Sequence, residues 1–173
     1  IRHYFPSIRH QILERLMFRE IRDRRVRWLI QQVLCSGESV YRSELAALAL
    51  PPAVLPLPPR TGLPLGSWFS QWVGAFFLDG LDHYVKRVLK LPAYLRYMDD
   101  FVLFAEDAET LEAARNEIAA WLAEARGLSL NPRHDRIEQT SEPAVFLGYR
   151  ISQSGIGPSR RLRRRMRGRI ATA

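Results

Sequence analysis

Two adjacent acids, Asp99 and Asp100, stand inside the stretch "YLRYMDDFVLFAED" at residues 94–107, between two runs of large apolar and aromatic residues. Burying either carboxylate means taking it out of water beside a second negative charge, so neighbouring acids are normally kept out of buried strands. A turn between exposed strands would show alternating polar residues, whereas "YLRYM" and "FVLFA" are apolar on both faces. Acids at the tip of such a buried hairpin need a positive partner. A divalent cation suits them: Mg2+ takes carboxylate oxygens, keeps several waters and engages substrate phosphates. Two such ions about 4 Å apart stabilise the entering and leaving oxygens of a phosphoryl displacement. The pair therefore fits nucleotidyl transfer, provided a third carboxylate arrives from another strand.

The elements that must position these acids follow from periodicity. Apolar residues at helical spacing over 10–34 (Ile12, Leu13, Leu16; Val26, Leu29, Ile30, Val33) predict two helices with a break near Arg22 to Arg24, and Gly37 reads as a stop. Six prolines over 50–64 predict a loop. Residues 66–90 predict one helix of several turns, with Ser67 as N-cap and a broad core face of Trp68, Phe69, Trp72, Phe76 and Phe77. The acid-bearing hairpin comes next. A helix follows, capped by Asp107, striped by Leu111, Ala114, Ile118, Trp121, Leu122 and Ala125, and ended by Gly127. Short strands are expected at "LSLN" (128–131), around Arg136 to Glu138, and as one strand at "AVFLGYRIS" (144–152). The fold class is α+β, an antiparallel sheet covered by helices on one face, with no internal repeat.

The 173 residues suffice for one compact domain with a real core. The single cysteine, Cys35, excludes an internal disulfide framework and fits a reducing, cytoplasmic compartment. No apolar run approaches the ~18 residues of a membrane span, and no stretch reads as a leader. The net charge of +8 is nearly all arginine, since the only lysines are Lys86 and Lys90. Arginine forks bind phosphate bidentately, which points to nucleic acid, although a codon bias toward arginine gives the same composition. The chain opens at Ile1 with no methionine and reads as a fragment.

With these residues in view, "YMDD" between apolar strands resembles the catalytic hairpin of reverse transcriptases. "IRHYFPSI" (1–8) is similar to that family's first palm motif, an Asp followed by Ile-x-x-x-Phe. "GLPLGSWFSQ" (62–71) resembles the segment that packs against template and incoming nucleotide. "LSLNPRHDRI" (128–137) resembles the Leu-Asn-Pro-x-Lys-Thr motif, and "FLGYRIS" (146–152) the primer-grip strand. Five motifs in order cover most of the chain. An aliphatic residue before glycine (Leu65-Gly66) followed by Ser70-Gln71 looks most like the reverse transcriptases of diversity-generating retroelements, which copy a template RNA inaccurately. Leucine cannot make the hydrogen bonds that the glutamine of other subfamilies offers there, so discrimination should weaken.

The resemblance implies a polymerase palm with partial fingers over residues 1–157 and a basic start of the thumb over 158–173. It implies two Mg2+ ions on Asp99 and Asp100, with the family's third carboxylate immediately before Ile1. Phe5 falls at the steric gate against a ribose 2′-hydroxyl; Tyr4 reads as packing. Ile1 and Arg2 would lie beside the incoming triphosphate. Pro64, Leu65 and Gly66 would approach the nascent base pair, and Gln71 would orient template or brace its helix. Trp68, Phe69 and Trp72 read as core. His134 occupies the place of the lysine that protonates pyrophosphate, and Asp135 departs from the usual threonine. Leu147, Gly148 and Tyr149 would grip the primer. Seven arginines between Arg160 and Arg169, with Arg160, Arg161 and Arg164 foremost, would track duplex phosphates from one helix, with Leu162 and Met166 on its other side. The implied partners are template RNA, primer or cDNA, dNTPs and a small helical accessory protein, in a bacterial or phage setting. Two alternatives stay open: a group II intron or retron-type enzyme, and a related RNA-binding module that no longer polymerises.

Overall fold

The structure, a computed structural model, describes residues 1–47, 60–64 and 66–171. Most of the expected proline-rich loop, and Leu65, lie outside the described residues. The chain divides into two compact units, Ile1–Asp135 and Arg136–Ala173.

In the first unit, a short α1 (Tyr4–Ser7) leads into α2 (His10–Glu20) and α3 (Arg24–Ala47). The expected break between α2 and α3 is present and capped from both sides. Asp23 Oδ1 accepts the backbone N–H groups of Arg25 (2.8 Å) and Val26 (3.0 Å), starting α3. Arg27 donates to the Ile21 and Phe18 carbonyls at 2.6 and 2.8 Å and lies over the Phe18 ring, closing α2.

Gly37 does not stop α3, which runs ten residues beyond it. The reason is tertiary. A Cβ at this buried position would come within 2.6 Å of Pro64 Cδ and 2.7 Å of Pro64 N. The glycine lets segment 62–64 lie against the helix.

The long helix expected after Ser67 is α4 (Trp68–Phe77) and α5 (Asp79–His83), joined at Leu78 and continued by a π-helical turn, Tyr84–Val88. Arg126 accounts for the interruption. Its Nε donates to the Phe77 carbonyl at 2.6 Å, taking an acceptor that an unbroken helix would use itself. The guanidinium is buried over the rings of Trp121 and Phe77. Ser67 holds the N-cap position of α4 without a side-chain hydrogen bond. The buried face of α4 is Ser70, Val73, Gly74 and Phe77. Trp68 is 81% and Trp72 54% exposed, so these two are not core; Phe69 packs against the core.

Strands β1 (Ala93–Tyr97) and β2 (Asp100–Phe104) form the expected hairpin. Their register runs from Ala93 opposite Phe104 to Tyr97 opposite Asp100, leaving Met98 and Asp99 as the turn. Tyr94, Phe101 and Leu103 pack on the helical core, whereas Leu95 (56% exposed) and Tyr97 (61%) belong to the opposite, open face. The ribbon is thus covered on one face, not buried on both. Helix α6 (Ala108–Trp121) is capped as expected, with Thr110 N–H donating to Asp107 Oδ1 at 2.6 Å. Ala114, Ile118 and Leu122 of its stripe are buried, and Gly127 (φ 65°) ends the π-helical turn Leu122–Arg126 that follows.

"LSLN" forms no strand. Leu128 is buried, and one backbone bond, Arg2 N–H to the Ser129 carbonyl at 3.0 Å, ties the segment to the chain's first residues. The expected turn at Asn131-Pro132 is present. Arg136 to Glu138 is not a strand either; its residues are largely exposed, with no apolar face to order it.

The second unit contains β3 (Ala144–Phe146), β4 (Tyr149–Ser152) and β5 (Gly155–Pro158), antiparallel in that order, then α7 (Arg160–Ala171). The single strand expected at "AVFLGYRIS" is a hairpin. Leu147 (φ 50°) and Gly148 (φ 84°) make a two-residue turn with positive φ at both positions, the pattern of type I′. Ser159 caps α7 through its Oγ, which accepts the Leu162 N–H at 3.2 Å. The α+β class stands, with two small separate sheets in place of one.

Alanine is the better helix former by about 1 kcal/mol, yet Gly37→Ala is expected to destabilise the chain by about 1–3 kcal/mol through overpacking against Pro64. Urea unfolding measures it; a gain in stability would contradict the packing described.

Candidate active site

The hairpin turn is the centre of the site. Of its two residues only Met98 has positive φ (57°), which fits a type II′ turn, where glycine is the usual occupant. Holding methionine there costs about 1 kcal/mol, so the surroundings must hold the turn. The backbone nitrogen of Ile1 donates to the Asp99 carbonyl at 3.2 Å, placing the first motif against the twin acids.

Asp99 is half-buried and Asp100 exposed. Burial pushes the Asp99 carboxyl above the usual carboxylate range and the Asp100 charge adds to this, while the amino group at Ile1 opposes it. Neither acid forms an ion pair among the described residues. Among those residues no group of three or more His, Cys, Asp or Glu side chains could hold a metal. The donor set fits two of the carboxylates a Mg2+ site needs, and neither is paired with a side-chain cation among the described residues.

Arg96, in β1, was missed by the motif reading. Its guanidinium donates from Nε to Asp82 Oδ1 (2.7 Å), from Nη2 to Asp82 Oδ2, and from Nη1 to the Met98 carbonyl (2.9 Å). A longer bond reaches the Ala75 carbonyl on α4 (3.4 Å). Tyr94 Oη also donates to Asp82 Oδ1, at 2.7 Å. The signal was available: a lone charge inside an apolar strand must be paired.

Phe5 is half-buried, edge-on to Tyr4 at 5.4 Å between ring centroids. Both rings pack on Gly74 of α4, where a Cβ would meet Phe5 Cε1 at 3.2 Å. Tyr4 is buried, as expected of a packing residue, and its hydroxyl donates to the Gly74 carbonyl. Burial drives that phenol far above its ordinary range, so it stays protonated. The Leu63 N–H donates to the Phe5 carbonyl at 3.1 Å, joining the second motif to the first. Pro64 follows, half-buried against Gly37. Gly66 is exposed with φ 83° and no neighbour within 4 Å of a would-be Cβ, so backbone conformation explains the glycine. Leu65 lies outside the described residues.

Gln71 is exposed on α4 and Arg2 is exposed beside Ile1. The Arg2–Ser129 bond brings the segment before His134 to the same end of the unit. His134 itself is exposed in the turn at Asn131, and no hydrogen bond or ion pair among the described residues links its ring to the acids. In the second unit, Leu147 and Gly148 form the β3–β4 turn, Tyr149 opens β4, and Arg160, Arg161 and Arg164 are exposed on α7. No helix among the described residues is long and apolar enough to cross a membrane.

The model of the family described as reverse transcriptase (RNA-dependent DNA polymerase) matches residues 1–151. Protein YkfC of Escherichia coli (strain K12) is 25% identical over 169 residues, covering 86% of this chain and 44% of that protein. The chain thus spans less than half the length of this relative.

The raised Asp99 carboxyl has a definite sign in stability. The folded state binds this proton more tightly than the unfolded state, so the contribution is present at low pH and lost as pH rises through the unfolded carboxylate range and above. In metal-free buffer, Asp99→Asn is therefore expected to be at least as stable as wild type at neutral pH, with the difference vanishing in acid. Thermal unfolding against pH tests this; a large loss of stability at neutral pH would contradict it.

Proposed function

The chain belongs to the reverse transcriptase (RNA-dependent DNA polymerase) family, and from that premise we propose that it is the core of an RNA-directed DNA polymerase extending a primer on an RNA template. The observation that carries this reading is the Ile1–Asp99 backbone bond, which sets the first motif against the catalytic turn. In a longer chain with Asp immediately before Ile1, that residue supplies the third carboxylate.

Asp99 and Asp100 would hold Mg2+, which when bound neutralises the triphosphate and activates the primer hydroxyl. The primer 3′-oxygen forms a bond to the α-phosphorus of the dNTP as the bond to pyrophosphate breaks. His134 is assigned the proton given to the leaving pyrophosphate; an imidazolium is a competent general acid near neutral pH. Phe5, braced between Tyr4 and Gly74, is the steric gate. Arg2 contacts phosphate, Pro64, Leu65 and Gly66 approach the new base pair, and Gln71 contacts template. Leu147, Gly148 and Tyr149 grip the primer, and Arg160, Arg161 and Arg164 track duplex phosphates.

On this reading residues 1–157 are palm with partial fingers and 158–173 open the thumb. Leu65-Gly66 and Ser70-Gln71 favour a diversity-generating retroelement in a bacterial cytoplasm, with a helical accessory protein as partner. A residue other than Asp or Glu before Ile1 would favour the non-polymerising RNA-binding module instead.

Primer extension by the full-length protein tests the assignment. Asp99→Ala is expected to cost about a thousandfold in rate, the equivalent of several kcal/mol at 1.36 kcal/mol per factor of ten. Equal activity would rule the reading out. Phe5→Ala is expected to raise ribonucleotide use relative to dNTPs by about tenfold or more; an unchanged ratio would remove Phe5 from the gate.

A further inference from the structure

We propose that Arg96 is a positioning residue for the polymerase reaction, the clamp that fixes the Met98–Asp99 peptide and hence the metal-binding carboxylate of Asp99. The inference rests on the polymerase reading and deepens it.

The turn cannot hold itself. Met98 sits in a left-handed conformation that methionine disfavours, and a two-stranded ribbon is only marginally stable by itself. The Met98 carbonyl belongs to the same peptide plane as the Asp99 N–H. By donating to that carbonyl at 2.9 Å, Arg96 sets the orientation of the plane from which the Asp99 side chain departs. The other donors of the same guanidinium are anchored on separate elements: the Asp82 carboxylate of α5 and the Ala75 carbonyl of α4.

Through one planar, rigid group the turn is therefore registered against α4, the helix that carries Phe5 on Gly74. A lysine has no such fork. Asp82 acts one step further out. Burial alone would raise its carboxyl, but hydrogen bonds from Arg96 and Tyr94 hold it below the usual range, so it stays an anion that fixes the guanidinium. With Arg96 paired to Asp82, the guanidinium is also kept from collapsing onto Asp99 and Asp100 and competing with the metal for them.

The test is steady-state primer extension by the full-length protein, comparing wild type, Arg96→Met, Arg96→Lys and Asp82→Asn, with the folded fraction of each measured by circular dichroism. A misplaced carboxylate should lower kcat per folded molecule by about ten- to a hundredfold in Arg96→Met, as expected for a misplacement of about 1 Å. The Mg2+ concentration for half-maximal rate should rise in the same variant, and the dNTP KM should change by less than about threefold. Arg96→Lys should recover only part of the loss, and Asp82→Asn should shift the Mg2+ requirement in the same direction.

A purely structural arginine would lower the folded fraction and leave kcat per folded molecule and the Mg2+ requirement unchanged. That result in Arg96→Met, or in Arg96→Lys should the methionine variant fail to fold, overturns the inference while leaving the polymerase reading intact. An inactive wild type overturns the polymerase reading and this inference with it.

Discussion

Two negative charges on consecutive residues at a half-buried turn repel each other, and no side-chain cation among the described residues pairs with them. Arg96, in the same ribbon, is already committed to Asp82 through two hydrogen bonds. Burial and the neighbouring Asp100 charge hold the Asp99 carboxyl above the usual carboxylate range. The ribbon lays one face on the helical core and leaves Asp100 exposed at its tip. Ile1 meets that tip through its backbone bond to Asp99, and Arg96 ties it to the Ala75 carbonyl of α4.

Two groups among the many arginines stand in contrasting settings. Arg27, Arg96 and Arg126 are partly or fully buried, and each terminates or joins elements by donating to backbone carbonyls: Phe18 and Ile21, Met98 and Ala75, Phe77 and Ala125. Guanidinium suits this because its donors lie in one plane and its face stacks on Phe18, Phe77 or Trp121. The arginines of α7 from Arg160 to Arg167 are exposed and make no such contacts among the described residues. The buried, backbone-bonded arginines are not available to phosphate, so net charge alone overstates the nucleic-acid surface.

What the sequence made legible was local. The Asp107 cap, the Gly127 stop, the break before α3 and the hairpin around Asp99 each depend on residues within one turn of the feature. What it concealed was tertiary. Gly37 looks like a helix stop until Pro64 is found packed on it. The Leu147-Gly148 turn lacks the Asn-Gly signal and puts leucine in a left-handed conformation, so two strands read as one. Trp68 and Trp72 have core-like spacing, but the small residues Ser70 and Gly74 face inward, where the Tyr4 and Phe5 rings fill the space at Gly74. In the site, the twin acids and Phe5 were readable as motif residues, whereas Arg96 and Asp82 carry no motif and are joined only by folding.

The central claim, that Asp99 and Asp100 form a divalent-metal site, is tested most directly by calorimetric titration of Mg2+ into the full-length protein and its Asp99→Asn variant, without nucleotide. The account predicts saturable binding in wild type, weakened by about tenfold or more in the variant. Identical binding isotherms for the two proteins would contradict it.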